Sequence, residues 1–234
     1  MKVLRVFFLM GSVCLLNLIL SGCGTMARIP PVLKTLDKNV GQALIVEMSS
    51  SCRFKARLKF WQRQNNDWQR ILTSADVVIG RNGLASVGKK REGDGRTPTG
   101  IFRLGTAFGY LPAIQTKLAY RQTTKNDFWV DDPSSSQYNQ WVQGTPQAKS
   151  FERMHRDDDL YKYGIVIEYN TNPIVEGKGS AIFMHVWRGP DSSTAGCVAM
   201  RERKLLQLLR RLDQSRNPSI VFLSPPETFW ESNE

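Results

Sequence analysis

Residues 52–61, CRFKARLKFW, alternate with a period of two. Cys52, Phe54, Ala56, Leu58 and Phe60 fall on one side, and Arg53, Lys55, Arg57 and Lys59 on the other. Successive side chains of a strand point to opposite faces, so the pattern describes a strand half buried on a core and half in water. Cys52 is expected on the core side, where a free cysteine behaves as a small apolar group. Outward from this stretch the same type recurs. Ala43–Met48, Ala75–Gly80, Gly100–Leu104, Gly164–Tyr169, Ala181–Trp187 and Ser219–Leu223 are short apolar or β-rich runs bounded by turn formers. Helical spacing shows in one place: Leu205, Leu208, Leu209 and Leu212 recur at i, i+3, i+4 and i+7, and Asn217-Pro218 closes the segment. Residues 127–159 are long, polar and aromatic, which predicts a functional loop. The expected fold is mainly β, a single domain with one late α-helix and long loops.

The chain has 234 residues and a net charge of +11. Lys2 and Arg5 precede an apolar run, Val6 to Leu20, that is short for a membrane span and interrupted by Gly11, Ser12 and Asn17. It reads as a secretory signal. Its end, Leu20-Ser21-Gly22-Cys23, resembles the lipobox of bacterial lipoproteins. That resemblance implies removal of residues 1–22 with Cys14, and a lipid on Cys23 that anchors the protein to a membrane. With Gly24 next, it implies the inner leaflet of an outer membrane, facing the periplasm. Residues 23–39, with Pro30 and Pro31, read as a tether, and 40–234 as one domain. The basic balance suits lipid headgroups and acidic wall polymer. No nucleic-acid reader motif accompanies it, so no nucleic-acid partner is expected.

Chemistry concentrates in HVWRGPDSSTAGCVAM, residues 185–200. One of two histidines ends an apolar strand, and Cys197 follows small residues that let the backbone turn tightly and approach a substrate. With a helix starting soon after, the macrodipole would favour a Cys197 thiolate. His185 would be its base, and the amides around Gly196 and Cys197 would hold an oxyanion. The competing reading pairs Cys52 with Cys197 in a disulfide, as an exported binding or structural wall protein would have. His155 with Asp157, Asp158 and Asp159 lacks the convergent partners zinc requires, so no metal or other cofactor is expected.

His185 followed by Thr194-Ala195-Gly196-Cys197 resembles the signature of the L,D-transpeptidase catalytic domain family. KREGDGRTPTGIF, residues 90–102, resembles that family's Thr-Pro-x-Gly-x-Phe segment, and WVDDPSSSQYN, residues 129–139, a segment found in one of its branches. The resemblance spans roughly residues 75–223. It implies a β-sandwich with Cys197 as nucleophile and His185 as base, Gly196 in the tight turn and Thr194 as an orienting or structural residue. The implied substrates are peptidoglycan stem peptides. The implied reaction is a thioester formed with release of D-alanine and resolved by an amine acceptor, at a site open to carbapenems. A hydrolase on the same scaffold, cutting cross-links or wall-bound lipoprotein, is the alternative.

Three departures bear on substrate contacts. Ala195 stands where the family often has histidine, Ala199 where it often has Arg or Asn, and the histidine-to-cysteine spacing is short. Arg188 and Arg201 are candidate replacements for the carboxylate contact. Lys90 and Arg91 either rim the cleft or belong to an exposed turn. Trp129, Tyr138 and Trp141 either cover the substrate or pack their segment to the core.

Overall fold

The computed structural model describes residues 28–223, so the expectations for the signal segment and for Cys23 lie outside the described residues. The chain forms β1 (Gln42–Met48), β2 (Lys55–Gln64), β3 (Asp67–Val78), β4 (Gly100–Gly109), β5 (Tyr120–Gln122), β6 (Asp127–Val130), β7 (Trp141–Gln143), β8 (Phe151–Arg153), β9 (Tyr163–Ile167), β10 (Phe183–Val186) and β11 (Val198–Met200). The helix α1 (Glu202–Leu209) and β12 (Ser219–Leu223) follow. This is the mainly-β fold with one late helix that the pattern predicts.

Nine strands make one sheet in the order β12-β1-β2-β3-β11-β10-β9-β4-β5. Because β12 also pairs with β4, the ladder closes on itself and β5 lies outside the closure. Closure removes the exposed edges that an open sheet of this size would have to protect. Its interior holds Leu44, Leu58, Phe60, Ile165, Met184 and Ile220 among other buried side chains. Leu205, Leu208 and Leu209 of α1 enter the same core, and each fully buried leucine contributes about 1.5–3 kcal/mol. The β2–β3 hairpin turns on Asn65 and Asn66, both at positive φ (48° and 69°), as a two-residue turn matched to strand twist requires.

Two outer layers cover the closed sheet. Over β1 and β12 lie Leu33 and Leu36, packed with Ala43, Ile45, Trp61 and Trp68, and Trp68 Nε1 donates to the Leu33 carbonyl at 2.9 Å. The segment expected to be a tether therefore packs on the domain from its short 3-10 turn at Pro31–Lys34 onward. The same layer explains why alternation fails at the end of the opening stretch. β2 starts at Lys55, register shifts flank Phe60, and Trp61 turns to the outer layer while Phe60 stays inside. Cys52 sits half-buried before the strand rather than on its core face.

The other outer layer replaces the expected long loop. Residues 127–153 form a three-stranded sheet, β7-β6-β8, lying on the outside of β9 and β10. Trp129 packs on Phe183 edge to face at 5.0 Å. Its Nε1 donates to Asn139 Oδ1 at 2.9 Å, and that oxygen also accepts from the Ala181 amide at 3.1 Å. Tyr138 donates to Glu92 Oε2 at 2.6 Å, and Trp141 packs edge to face on Phe108 of β4 at 5.8 Å. All three aromatics thus anchor the small sheet to the domain.

Candidate active site

Strand parity decides what β10 and β11 present to each side. The two run parallel, with Met184 beside Val198, His185 beside Ala199 and Val186 beside Met200. Met184, Val198 and Met200 point into the closed core. Alternation then sends Phe183, His185, Cys197 and Ala199 outward, beneath the small sheet. Where that sheet stops short it leaves a cavity of about 340 Å³, and His185, Cys197, Thr194, Ala195 and Ala199 line it. The two residues expected as base and nucleophile thus meet in one cavity.

His185 Nδ1 lies 2.7 Å from the Val186 carbonyl oxygen. A carbonyl only accepts, so Nδ1 carries the proton and Nε2 keeps a free lone pair. The Tyr161 ring stands edge-on to the imidazole at 5.2 Å. Burial brings His185 down to about 4, against the opposing pull of the Val186 carbonyl. Cys197 Sγ donates to the Ala181 carbonyl at 3.2 Å and accepts from the Phe183 amide at 3.4 Å. Ala181 holds a left-handed backbone (φ 51°), a conformation costly for a residue with a Cβ and frequent at functional sites. Among the described residues no hydrogen bond joins Cys197 to His185.

The expected thiolate is corrected here. β11 stands between Cys197 and α1, which begins at Glu202, so the thiol is not at a helix N-terminus. Burial instead pushes the Cys197 thiol up to about 12, with the Phe183 amide opposing. Both shifts favour a neutral thiol and a neutral imidazole in this site. The Gly196 amide donates to Thr194 Oγ1 at 3.2 Å, so the oxyanion role expected of it requires that bond to open. Cys52 and Cys197 are both free thiols, which contradicts the disulfide of the wall-protein alternative.

The Thr-Pro segment braces this turn from behind. Thr97, wholly buried, donates its hydroxyl to the Gly196 carbonyl at 2.7 Å and accepts from the Gly80 amide at 2.9 Å. Thr194 Oγ1 donates to the Cys197 carbonyl at 2.7 Å. A Cβ on residue 196 would stand 3.0 Å from the Arg96 carbonyl oxygen, so the close approach of the two motifs leaves little room for a side chain there.

The charged residues sort differently from expectation. Arg188 lines the cavity and meets Asp158 Oδ2 at 3.1 Å. Arg201 stands at the residue before α1, makes no capping bond with its side chain, and does not line the cavity. Lys90 is buried, donating to Asp94 Oδ1 at 2.7 Å and to the Arg91 carbonyl at 2.6 Å, while Arg91 bonds carbonyls of its own loop. Both are loop braces rather than cleft residues, because a buried ammonium needs those acceptors. His155 donates from Nδ1 to the Thr123 carbonyl and stacks on Tyr110 at 4.2 Å. No group of three metal-capable side chains occurs among the described residues.

Sequence reasoning missed Arg81, Glu152, Arg156 and Tyr161, all of which line the cavity. Arg156 grips Asp158 with two bonds, Nε to Oδ1 at 2.8 Å and Nη2 to Oδ2 at 2.7 Å, and its Nη1 stands 3.5 Å from Glu152. Burial pushes the Glu152 carboxyl upward, with Arg156 opposing. The only sequence signal for this group was the HRDDD run, the middle of whose three aspartates, Asp158, proves to be the shared acid.

Solved structures resemble this chain, two different proteins among them. The helical cell shape determining protein Pgp2 from Campylobacter jejuni is 16% identical, with 84% of this chain and 55% of that one covered at a TM-score of 0.43. Bd1075 from Bdellovibrio bacteriovorus is 15% identical, with 79% and 48% covered at a TM-score of 0.43. The chain thus spans about half the length of these proteins. No curated protein matches it. The family model described as YkuD, L,D-transpeptidase catalytic domain, matches residues 54–221, most of the chain and both motif segments. The chain belongs to the L,D-transpeptidase catalytic domain family.

Proposed function

We propose that this protein is a cysteine enzyme of peptidoglycan stem peptides, forming a Cys197 thioester with a tetrapeptide donor and passing the acyl group to an amine. One observation carries the reading. Cys197 and His185 open into the same cavity, and the imidazole is held in the tautomer whose free nitrogen can take a proton.

The chemistry follows from that geometry. Once donor binding draws the thiol away from the Ala181 carbonyl, His185 Nε2 takes its proton. The sulfur adds to the scissile carbonyl carbon, and the carbon–nitrogen bond breaks as the imidazolium protonates the leaving D-alanine amine. The acceptor amine then adds to the thioester, giving a proton to His185. The departing sulfur recovers that proton as Cys197 thiol, and a new amide is released. Water in place of the amine yields a carboxylic acid, the hydrolase alternative. The neutral resting pair suits a nucleophile that ionises only with substrate present, which protects the thiol in an oxidising compartment.

The test is incubation with disaccharide tetrapeptide, with and without an acceptor amine. The expected products are D-alanine and a Cys197-linked acyl adduct seen by mass spectrometry. Cys197→Ala should lose at least about 10⁴-fold in turnover, as removal of a covalent nucleophile does elsewhere. Neither product from the wild-type protein would end the proposal. A free tetrapeptide acid produced equally with and without the amine would convert it to the hydrolase.

A further inference from the structure

Three guanidinium groups border the catalytic cavity, and two of them are already neutralised. Arg156 is held by both oxygens of Asp158 and faces Glu152, and Arg188 shares Asp158. Arg81 makes no ion pair among the described residues. Its backbone is fixed beside the nucleophile turn, with its amide donating to the Thr194 carbonyl at 2.9 Å. Its side chain lies flat on Gly95. A Cβ added at residue 95 would stand 2.8 Å from Arg81 Cζ and 2.9 Å from Nε, and the φ of +67° there is one that glycine accepts. The neighbouring cation of the GDGR turn is used up internally, since Arg96 Nη1 donates to the Asn82 and Leu84 carbonyls at 2.9 and 3.1 Å. Gly95 thus gives Arg81 a floor, and of the three Arg81 is the exposed guanidinium without an ion pair among the described residues.

A guanidinium lining the same cavity as the cysteine matches a carboxylate better than a point charge would, because its parallel N–H groups can meet both oxygens. We propose that Arg81 is the specificity-determining residue of the cavity and reads a free carboxylate of the peptide donor. The inference rests on the donor reading above and adds what the site selects. That carboxylate has two sources: the C-terminus of the residue that leaves, or the side-chain carboxylate of a diamino acid at the acylating position. It also accounts for a site without the arginine that the family often places where Ala199 stands.

The experiment uses the full-length Cys197→Ala protein, so that binding is read apart from turnover. Calorimetry compares the stem tetrapeptide with two analogues, one amidated at its C-terminus and one amidated on the diamino acid carboxylate. The unmodified peptide is expected to bind about tenfold more tightly than one analogue, and the analogue that loses affinity identifies the carboxylate. Adding Arg81→Met should bring all three peptides within about twofold of one another. Arg81→Lys should restore part of the preference, and Arg201→Met, outside the cavity, should leave it intact. A preference that survives Arg81→Met, equal binding of the three peptides, or no binding of any overturns the proposal. Failure of the catalytic reading is separate: wild-type protein that binds with Arg81-dependent preference yet forms no Cys197 adduct keeps this inference and loses the other.

Discussion

The inner and outer faces of β10 and β11 are both buried and do different work. Inside, Met184, Val198 and Met200 are wholly buried among side chains of the closed sheet and α1. Outside, His185 is 7% and Cys197 8% exposed, beneath a sheet of three short strands. Burial does not distinguish core from site here; what covers each face does. The inner cover is continuous and apolar. The outer one stops short and ends in Glu152, Arg156 and Tyr161, which leaves a polar-edged cavity over two reactive groups. The dryness that holds the thiol neutral is thus a property of the small sheet.

The largest effect that would break this comparison is in thiol reactivity. A Cys197 thiol pushed up to about 12 exposes very little thiolate at neutral pH. At pH 7 its alkylation by iodoacetamide should run about 10³-fold more slowly than that of a free cysteine with a pKa of about 8.5. The sign of the shift sets the shape of the profile. Because the folded-state value lies above the free one, the rate should keep rising about tenfold per pH unit through pH 9–10, where a free thiol is already levelling off. Site-resolved mass spectrometry separates Cys197 from Cys52. A plateau below pH 7 would mean an imidazolium–thiolate pair and a wet outer face.

The next effect is on stability. Met184 and His185 are adjacent in sequence and face opposite ways, so Met184→Ala should cost about 2–5 kcal/mol through lost burial and the cavity left behind. A urea melt would show this as a lower midpoint. Acylation of the remaining folded protein by a carbapenem should change less than about twofold. If that rate collapsed while the protein stayed folded, the two faces would not be separable.

These elements also show where sequence was informative. Period-two alternation in β2 and the leucine spacing of α1 were readable because each run is long enough for its period to repeat. β11 has three residues, and β7 and β8 three each, too few to show a period, so the helix seemed to follow Cys197 directly and the small sheet read as loop. The first half of β3 hid for another reason: Gln69 and Arg70 face water on both sides of the hairpin twist and carry no apolar signal. Cys197 and His185 were legible because the motif brackets them. Arg81 and Arg156 were not, since a single arginine in a turn is unremarkable until pairings such as Gly80 with Thr194 bring distant segments together.

The smallest effect tests whether the outer site depends on a brace from the other motif. Thr97 spends its hydroxyl twice, donating to the Gly196 carbonyl and accepting from the Gly80 amide, in a place water does not reach. Thr97→Val keeps the shape and removes both bonds, which should cost about 1–3 kcal/mol because two buried backbone groups lose their partner. Thr97→Ser keeps the hydroxyl and should cost less. The Gly196 carbonyl belongs to the residue preceding Cys197, so the valine variant should also lower the carbapenem acylation rate, and the serine variant should restore most of it. Equal midpoints and equal rates for wild type and Thr97→Val would show that the Cys197 turn holds itself, with the outer face owing nothing to the Thr-Pro segment behind it.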